Sequence, residues 1–397
     1  MIPPEDVDAL NVAALEALRA ADATRAAAIL RRAAELHPAH ARTRHHLGRV
    51  LEMLGDAPGA LVAHEAAVRL DPALSVARLY YANLLEHTGA AERALLQRAR
   101  ALQDAQARGE WLNRSTTPAA LRPVVEHAVR TVRAGRKAAL TRLLEPLIAI
   151  HGRAALARVE RALRIYLKEE PPVYSDARQQ PSFLFFPDLP PAAYPDRSMF
   201  PWIEALEAQT PAVLEELRRL LPSSSGRERV FTSEELERAN LRGGDVPPTW
   251  NGYYFYRHGK AREDNCASCP ATARALAQLP LMHVRDHGPE VLFSVFTPGT
   301  HLLPHRGVTN TRLVGHLPLI VPENCALTVG GEVHLWQPGR VVVFDDSYEH
   351  EAWNRSSEIR VVLIFDVWHP QLTAAERAAV GDLVAAMGDM REAIQQS

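Results

Sequence analysis

The chain has 397 residues, of which 47% are hydrophobic and 23% charged, values typical of a soluble globular protein with a full core. Its formal net charge of −2 at pH 7 excludes a general attraction to nucleic acid or to anionic membranes. The length predicts about two or three domains. The three cysteines give no disulfide framework, which is typical of a reducing compartment.

The sequence also argues against export and membrane insertion. No apolar run reaches the roughly 18 residues that a membrane-spanning helix needs. The first residues, MIPPEDVDALNVAALEALRAAD, lack the basic start and the small-residue cleavage site of a signal peptide. We therefore expect a cytoplasmic protein that binds neither membranes nor nucleic acid.

Residues 1–108 carry an internal repeat with a period of 34 residues. The matching positions are Pro38 and Pro72, Gly55 and Gly89, and Ala26, Ala60 and Ala94. This period, with small residues where helices cross, resembles the tetratricopeptide repeat, whose paired helices bury one face only by stacking on neighbours. About three copies fit, which predicts an α-helical solenoid. Such arrays often present a concave surface to a peptide; a helical cap or a dimerisation element is the alternative.

Further helices and a break separate this array from a different kind of sequence. Residues 109–170 continue the helical pattern, and Thr117-Pro118 reads as an N-cap followed by a first-turn proline. The segment 171–181 is polar and rich in proline and is predicted to be a linker. From 182 to 397 the sequence becomes aromatic, with many short strand-like runs and turn signals, which predicts a barrel or jelly roll with flanking helices. The expected fold class is therefore α+β and multidomain.

The predicted elements of this last region are mostly strands. In chain order they are a strand-like run at 182–186, a helix through Leu220–Leu221, strands at 250–260 and 290–297, a hairpin at 326–336, strands at 341–346 and 359–368, and a C-terminal helix at 372–394.

Two histidines in this region predict a metal site. His305 and His350 stand 45 positions apart, on either side of short β-like runs. Imidazole is a good ligand for Fe(II), and an oxygenase leaves coordination positions open. The usual third ligand is a carboxylate two residues after the first histidine, but that residue is Gly307. Two alternatives stay open: water takes the third position, which we favour, or Asp346 coordinates the metal.

An arginine ten residues after the second histidine predicts an anion site. Arg360 begins an almost wholly apolar strand, and a buried charge without a partner is costly. A small carboxylate ligand fits the guanidinium fork; a structural ion pair with Asp366 or Asp345 is the alternative. On an earlier strand, alternation places Arg312 and His316 on one face.

At these residues the chain resembles the aspartyl/asparaginyl β-hydroxylases, which are iron(II)- and 2-oxoglutarate-dependent dioxygenases. The resemblance covers roughly residues 182 to 372 and is carried by PGTHLLPHRGVTNTRLVGHLPLIVP, FDDSYEHEAWN and IRVVLIFDVWHPQLT. It implies a double-stranded β-helix of the jelly-roll or cupin type. It also implies that His305 and His350 hold the iron without a protein carboxylate, which accounts for Gly307.

The resemblance further implies how the cosubstrate is held. Arg360 and Ser294 correspond to residues that bind the distal carboxylate of 2-oxoglutarate, and His316 lies near its other carboxylate. Family members commonly carry an arginine at the position of Val314. Arg312 remains nearby on the same face and is expected to contribute to the cosubstrate pocket. Without an arginine at position 314, we expect a change either in the binding of the cosubstrate or in the recognition of an acidic substrate.

The expected function is hydroxylation of an aspartyl, asparaginyl or related residue in a peptide or protein, using Fe(II), 2-oxoglutarate and O2. The helical repeats are expected to guide this substrate. Two alternatives stay open: a non-catalytic repeat scaffold with a degenerate barrel, and a hydroxylase of a small molecule or free amino acid. Trp250 and Tyr256 line the substrate cleft or pack in the core. His301 and His369 are expected to be structural.

Overall fold

The structure, a computed structural model, describes residues 6–223, 225–243 and 247–397. The chain divides into two compact units. One takes in the residues up to Ala139 together with Asp389–Ser397, and the other runs from Leu140 to Gly388. This division lies inside a helix, and the domain boundaries predicted at residues 108, 170 and 181 stay predictions.

Helices occur in both units. The α-helices are α1 (Val7–Arg19), α2 (Ala23–Leu36), α3 (Ala41–Met53), α4 (Ala57–Leu70), α5 (Ser75–His87), α6 (Ala91–Ala107), α7 (Arg122–His151), α8 (Ala157–Tyr166), α9 (Ile203–Ala208), α10 (Thr210–Leu220), α11 (Glu234–Asn240), α12 (Glu263–Ser268), α13 (Pro270–Leu276) and α14 (Ala374–Gln396). Across the described residues, none of them combines the length and the apolar character that crossing a bilayer requires.

Strands occur only after residue 226 in the described chain. They are β1 (Arg227–Arg229), β2 (Leu241–Arg242), β3 (Trp250–Arg257), β4 (Lys260–Ala261), β5 (Val291–Phe296), β6 (His301–His305), β7 (Arg312–Ile320), β8 (Cys325–Val329), β9 (Glu332–His334), β10 (Val342–Phe344), β11 (His350–Asn354) and β12 (Arg360–Trp368). The hairpin predicted through Gly330–Gly331 is confirmed, because β8 and β9 pair antiparallel on either side of it.

The first six helices form three pairs that repeat every 34 residues. The first helices of the pairs begin at Val7, Ala41 and Ser75, and the second helices begin at Ala23, Ala57 and Ala91. The side chains of Ala26, Ala60 and Ala94 share one position of the repeat and are fully buried, at 0% exposure each. The predicted tetratricopeptide-like array is therefore confirmed.

Local sequence explains where these helices start and stop. The carboxylates of Asp22 and Asp56 accept hydrogen bonds from main-chain N–H groups in the first turns of α2 and α4, which satisfies donors that a helix start leaves unpaired. Gly55 and Gly89 have φ angles of 78° and 85°, a left-handed conformation that glycine adopts without strain. These glycines end one helix at the same place in successive repeats.

Two antiparallel sheets form the core of the second unit. Hydrogen bonding orders the larger sheet as β1-β3-β5-β12-β7-β10, with β4 beside β3, and the smaller sheet as β2-β6-β11-β8-β9. Strands distant in sequence are neighbours in both sheets, as in a jelly roll. The predicted fold class, a helical repeat array followed by a double-stranded β-helix with flanking helices, is confirmed.

Alternation along the strands separates an outer apolar cluster from an inner one. On β5, Phe293 and Val295 belong to the outer cluster, which also takes in residues of α9, α10 and α13. Phe296 belongs to the inner cluster, together with residues of the smaller sheet such as Leu327. Because side chains two apart on a strand share a face, Ser294 is a polar residue on the inner face.

The strand predicted at 182–186 is wrong. Leu184 makes only a single isolated bridge, to Thr309. The side chain of Asn310 replaces a neighbouring strand: its Nδ2 donates to the carbonyl of Phe186, and its Oδ1 accepts from the N–H of Phe186, each at 2.8 Å. This amide and main-chain hydrogen bonds from residues 182–184 to residues 307–308 hold the run without a β ladder, and Phe183 stays 41% exposed.

The segment 171–181 contains no helix and no named strand, but part of it is packed. Gln179 is buried and forms an isolated bridge with Tyr348. Its Nε2 donates a 2.6 Å hydrogen bond to Asp345. The segment therefore contributes to the loop that precedes β11.

The buried alanines of the repeats generate a stability prediction. Replacing Ala60 by leucine forces a larger side chain into a helix crossing, so we expect the free energy of unfolding to fall by about 1–3 kcal/mol. Urea denaturation monitored by helical circular dichroism measures this. The control is Ala28→Leu, because Ala28 is exposed and its equivalent in the next repeat is the exposed Val62. Equal stability of the two variants would contradict the proposed crossing.

Candidate functional site

The two predicted metal ligands face each other across neighbouring strands. His305 ends β6, His350 begins β11, and the antiparallel register pairs them directly. Their ring centroids are 4.0 Å apart. Nδ1 of His305 lies 2.8 Å from the Leu303 carbonyl, and Nδ1 of His350 lies 3.0 Å from the Tyr348 carbonyl. A carbonyl accepts only from a protonated nitrogen, so the neutral rings keep the free electron pair on Nε2, where a metal binds.

Burial keeps His350 in the form that binds metals. The pKa of His350 is lowered to about 4, first by burial and then by the neighbouring His305. The imidazole is therefore neutral at pH 7 and requires no deprotonation before it coordinates. The Phe344 ring lies 5.6 Å from the His350 ring and forms an apolar wall beside it.

A carboxylate from a distant part of the chain fills the space beside Gly307. A Cβ atom added at Gly307 would overlap the carboxylate of Asp346, and the Gly307 N–H donates to the Asp346 carbonyl at 2.6 Å. Asp346 Oδ1 is buried and has no hydrogen-bond partner among the described residues. Within these residues no group of three or more His, Cys, Asp or Glu is arranged to hold a metal. The two histidines and the nearby carboxylate fit a metal site, and both alternatives for its third position, water or Asp346, stay predictions.

Arg312 is the centre of an internal ion network. Its guanidinium pairs with Asp346 and, at 3.1 Å, with Asp366. Burial acts to lower the pKa of Arg312, but the two carboxylates outweigh burial and hold this pKa above its ordinary value. The predicted contribution of Arg312 to the cosubstrate pocket stays a prediction, and its charge is balanced by the protein itself.

Arg360 has the opposite environment. It is 1% exposed, and no ion pair joins it to a carboxylate of the described chain. Its Nη1 donates to Ser294 Oγ at 3.3 Å, and its Cζ lies 3.8 Å from the Phe296 ring centre and 4.9 Å from that of Trp336. Burial lowers the pKa of Arg360 to about 9. A buried cation without a counter-ion is costly, so this pocket is chemically complete only with an anion.

The two carboxylates that the sequence left open as partners of Arg360 are engaged elsewhere. Asp366 pairs with Arg312, and it also accepts the main-chain N–H of Glu290 at 3.0 Å. Asp345 accepts from Gln179 and from the Ser347 N–H at 2.9 Å. A structural ion pair as the partner of Arg360 is therefore wrong.

His316 lies in the same pocket as Arg360. Its ring centroid is 5.0 Å from that of Phe344 and 5.8 Å from that of Trp336. The pKa of His316 is held well below its ordinary value by burial and then by the Arg360 charge. Its Nδ1 is buried without a partner among the described residues, which leaves a neutral imidazole nitrogen available to a ligand.

Trp250 and Tyr256, expected either in the cleft or in the core, lie on opposite faces of β3. Trp250 Nε1 donates to Ser294 Oγ at 2.9 Å, which fixes the hydroxyl next to Arg360. Tyr256 packs against His283 and the outer cluster. A register shift between Tyr254 and Tyr256 interrupts the alternation of β3, so the two side chains do not follow one face.

Two features of the site were not found from the sequence. Trp336, which stacks on Arg360, lies in an irregular loop after β9, where no periodicity orients a side chain. The contact between Gly307 and Asp346 joins residues 39 positions apart and depends on tertiary structure. The expected structural role of His301 stays a prediction; its Nε2 lies 2.7 Å from Glu351.

Comparisons with known proteins identify relatives of this chain. A sequence model of the aspartyl/asparaginyl beta-hydroxylases matches residues 207–370. The chain is 33% identical over 242 residues to aspartate beta-hydroxylase domain-containing protein 2 of Mus musculus, covering 59% of this chain and 67% of that protein. It is 38% identical over 132 residues to the aspartyl/asparaginyl beta-hydroxylase of Homo sapiens, covering 33% of this chain and 17% of that protein.

A bacterial relative has a different substrate in its name. The ornithine lipid ester-linked acyl 2-hydroxylase of Rhizobium tropici is 35% identical over 178 residues, covering 44% of this chain and 60% of that protein. The chain thus spans less than two thirds of the length of several curated relatives that it matches.

The packing of Gly307 generates a prediction about metal affinity. Gly307→Ala drives a methyl group into the Asp346 carboxylate, and we expect Fe(II) to bind roughly 10–100-fold more weakly, the usual cost of disturbing groups around metal ligands. Anaerobic calorimetry with Fe(II) measures this. Gly381→Ala is the control, because its new Cβ lies 4.0 Å from the nearest Val284 atom, an ordinary contact. Unchanged Fe(II) affinity in Gly307→Ala would contradict the assignment.

The Arg312 network generates a prediction about stability and pH. Arg312→Met leaves two buried carboxylates without a cation, which we expect to cost about 3–5 kcal/mol at neutral pH. Burial raises the pKa of Asp366, and the loss of its cation is expected to raise that pKa further. The folded variant then binds more protons than the unfolded chain. Its loss of unfolding free energy relative to wild type therefore becomes smaller as the pH falls.

Denaturation of wild type and variant across the pH range tests this. Arg306→Met is the matched control, because Arg306 is half-exposed and lies 3.6 Å from an exposed Glu349, a pair worth about 1 kcal/mol or less. A pH-independent deficit in Arg312→Met would count against the network.

Proposed function

The chain belongs to the aspartyl/asparaginyl β-hydroxylase family, and we propose that it is an Fe(II)- and 2-oxoglutarate-dependent dioxygenase. Its proposed reaction is hydroxylation of an aspartyl, asparaginyl or related residue in a peptide or protein. The observation that carries this proposal is Arg360, a buried cation that has no counter-ion in the part of the chain that the structure describes. It lies in a pocket that also reaches His316 and, through Phe344, the two histidines proposed as metal ligands. A cytoplasmic location stays a prediction from the sequence.

Continuous ring contacts support one pocket for metal and cosubstrate. The His350 ring contacts Phe344, Phe344 contacts His316, and His316 contacts Trp336, with centroid separations of 5.6, 5.0 and 5.8 Å. Trp336 in turn lies 4.9 Å from the guanidinium of Arg360. A dicarboxylate held by Arg360 at one end is thereby directed along His316 towards the histidine pair.

The residues present fit the groups that this chemistry needs. His305 and His350 would hold Fe(II) through Nε2, and the orphaned Asp346 Oδ1 would accept a hydrogen bond from water at the third position. Iron with 2-oxoglutarate and O2 supplies the oxidising power for hydroxylation, with succinate and CO2 as co-products. The protein would contribute the metal ligands, the cation that anchors the cosubstrate carboxylate, and the exclusion of bulk water.

The walls of the pocket support the exclusion of water. Val314, Val342, Phe344 and Val362 belong to the inner cluster and are buried. Apolar walls lower the local dielectric, which strengthens the attraction between Arg360 and a bound carboxylate. The same walls protect reactive species from side reactions with solvent.

The charges of the pocket favour a second candidate function, hydroxylation of an uncharged small molecule or acyl chain. Arg312 is neutralised by Asp346 and Asp366, and the side chain at position 314 is valine. Once Arg360 holds the cosubstrate, these residues offer no free cation to an acidic substrate. The acyl hydroxylase of Rhizobium tropici supports this candidate by its name alone.

The helical repeats support recognition of a partner. Three stacked helix pairs form an extended surface of the kind that other repeat proteins use to bind peptides. We propose that this unit recruits a peptide or protein substrate. A non-catalytic scaffold remains the competing function, and turnover distinguishes the two.

An anaerobic titration tests the proposed chemistry. Adding Fe(II) and then 2-oxoglutarate to wild type is expected to produce a visible charge-transfer band, and O2 is then expected to yield succinate. His350→Ala removes one of two protein ligands and is expected to abolish both signals. His301→Gln, which alters a histidine paired with Glu351, is expected to retain them.

Substrate choice follows from the same assay. Succinate release stimulated by an aspartyl peptide supports the first candidate, and stimulation by an acyl ester supports the second. Mass spectrometry then detects the added oxygen atom in the product. If wild type gives no band and no succinate, the dioxygenase proposal is wrong and the scaffold function is favoured.

A further inference from the structure

We propose that Trp336 binds the cosubstrate: its indole N–H donates to the same distal carboxylate that Arg360 holds, while its ring stacks on the Arg360 guanidinium. This inference rests on the proposed function, because 2-oxoglutarate is the ligand that brings the carboxylate. It adds a residue from the loop between β9 and β10 to a pocket to which β5, β7, β10 and β12 contribute.

The first observation is the unsatisfied indole nitrogen. Trp336 is 5% exposed, and its Nε1 is buried without a hydrogen-bond partner among the described residues. Buried tryptophan N–H groups usually have an acceptor, and Trp250 in the same region donates to Ser294 Oγ at 2.9 Å. The Trp336 N–H, which has no acceptor in the described part of the chain, therefore points to an acceptor on a bound ligand.

The second observation is that two other buried nitrogens without partners lie near Trp336. Buried side-chain nitrogens without a partner also belong to Arg360, at Nε, and to His316, at Nδ1. The Trp336 ring lies 4.9 Å from the Arg360 guanidinium and 5.8 Å from the His316 ring. Three unsatisfied nitrogens in one buried pocket would be costly for a protein without a ligand, because each loses its hydrogen bonds to water.

The chemistry of these nitrogens identifies the ligand group. The guanidinium Nε and the indole Nε1 carry hydrogens and can only donate, so the ligand must offer acceptor atoms. No described carboxylate serves as a counter-ion to Arg360, so the acceptor must also be negative. A carboxylate satisfies both requirements, since its two oxygens can accept from the guanidinium and the indole together.

The third observation is the way in which Arg360 is held. Its Cζ lies 3.8 Å from the Phe296 ring centre and 4.9 Å from the Trp336 ring centre. Aromatic rings that contact the face of a guanidinium leave the N–H groups at its edge free for a ligand. Trp336 thus contributes in two ways, by orienting the cation and by donating its own N–H.

Variants at position 336 separate these two contributions. Trp336→Phe keeps an aromatic ring over Arg360 and removes the N–H, whereas Trp336→Leu removes both. Trp202→Phe is the matched control, because Trp202 packs against Phe365 in the outer cluster. Far-ultraviolet circular dichroism and thermal denaturation establish that each variant folds.

The measurement compares two ligands by anaerobic calorimetry on the Fe(II)-loaded full chain. 2-Oxoglutarate carries the distal carboxylate, and 2-oxopentanoate has the same carbon chain without it. We expect Trp336→Phe to bind 2-oxoglutarate roughly 10-fold more weakly than wild type and 2-oxopentanoate equally well, the loss of one charge-assisted hydrogen bond. Trp336→Leu should lose more affinity for 2-oxoglutarate than Trp336→Phe, and Trp202→Phe should bind both ligands as wild type does.

Three outcomes overturn the inference, and they are distinguishable. If wild type and Trp336→Phe bind 2-oxoglutarate equally, the indole N–H has no role while the proposed function stands. If Trp336→Phe weakens both ligands equally, the tryptophan acts on pocket shape rather than on the distal carboxylate. If wild type binds neither ligand, the proposed function fails as well.

Discussion

The uncompensated charge of Arg360 is the constraint on which the rest of the site depends. Removing a guanidinium from water is tolerated only where an anion replaces the lost solvation. Arg360 lies on β12 at the centre of the larger sheet, and the neighbouring strands β5 and β7 carry Ser294 and His316. The smaller sheet carries the histidine pair on β6 and β11. The larger sheet thus carries the residues proposed to hold a carboxylate, and the smaller sheet carries those proposed to hold a metal.

Two arginines in one barrel show how the fold separates structure from ligand binding. Arg312 and Arg360 are both buried, but the pKa of Arg312 is held high by its carboxylates, and burial lowers that of Arg360 to about 9. Arg312 orients Asp346, whose free oxygen faces the region beside Gly307. Arg360 has no such partner within residues 6–223, 225–243 and 247–397, which agrees with its proposed role in binding a ligand. The difference is set by tertiary neighbours, since both residues occupy similar positions on apolar strands.

Periodic features could be predicted from the sequence, and contacts made by loops could not. The 34-residue period predicted a helical array of about three repeats, and three helix pairs follow that period. Alternation predicted that His316 and Arg312 share a face of β7. The strand predicted at 182–186 is wrong because the Asn310 side chain takes the place of a strand partner, and the register shift in β3 has no signal in the sequence pattern. Trp336 follows β9 in irregular backbone. The position of the Trp336 side chain involves a tertiary contact with Arg360, and a sequence pattern does not encode such contacts.

The charged groups near the histidine pair bear on the proposed choice of substrate. Arg312 pairs with both Asp346 and Asp366, and the valine at 314 adds no further cation. These residues offer no free positive charge to an acidic substrate, so bound Fe(II) would be the main positive charge on this side of the pocket. Recognition of an acidic residue would then have to come from cations outside the barrel core. A substrate that presents an uncharged carbon to the metal needs no such cation, which is the physical argument for the second proposed function.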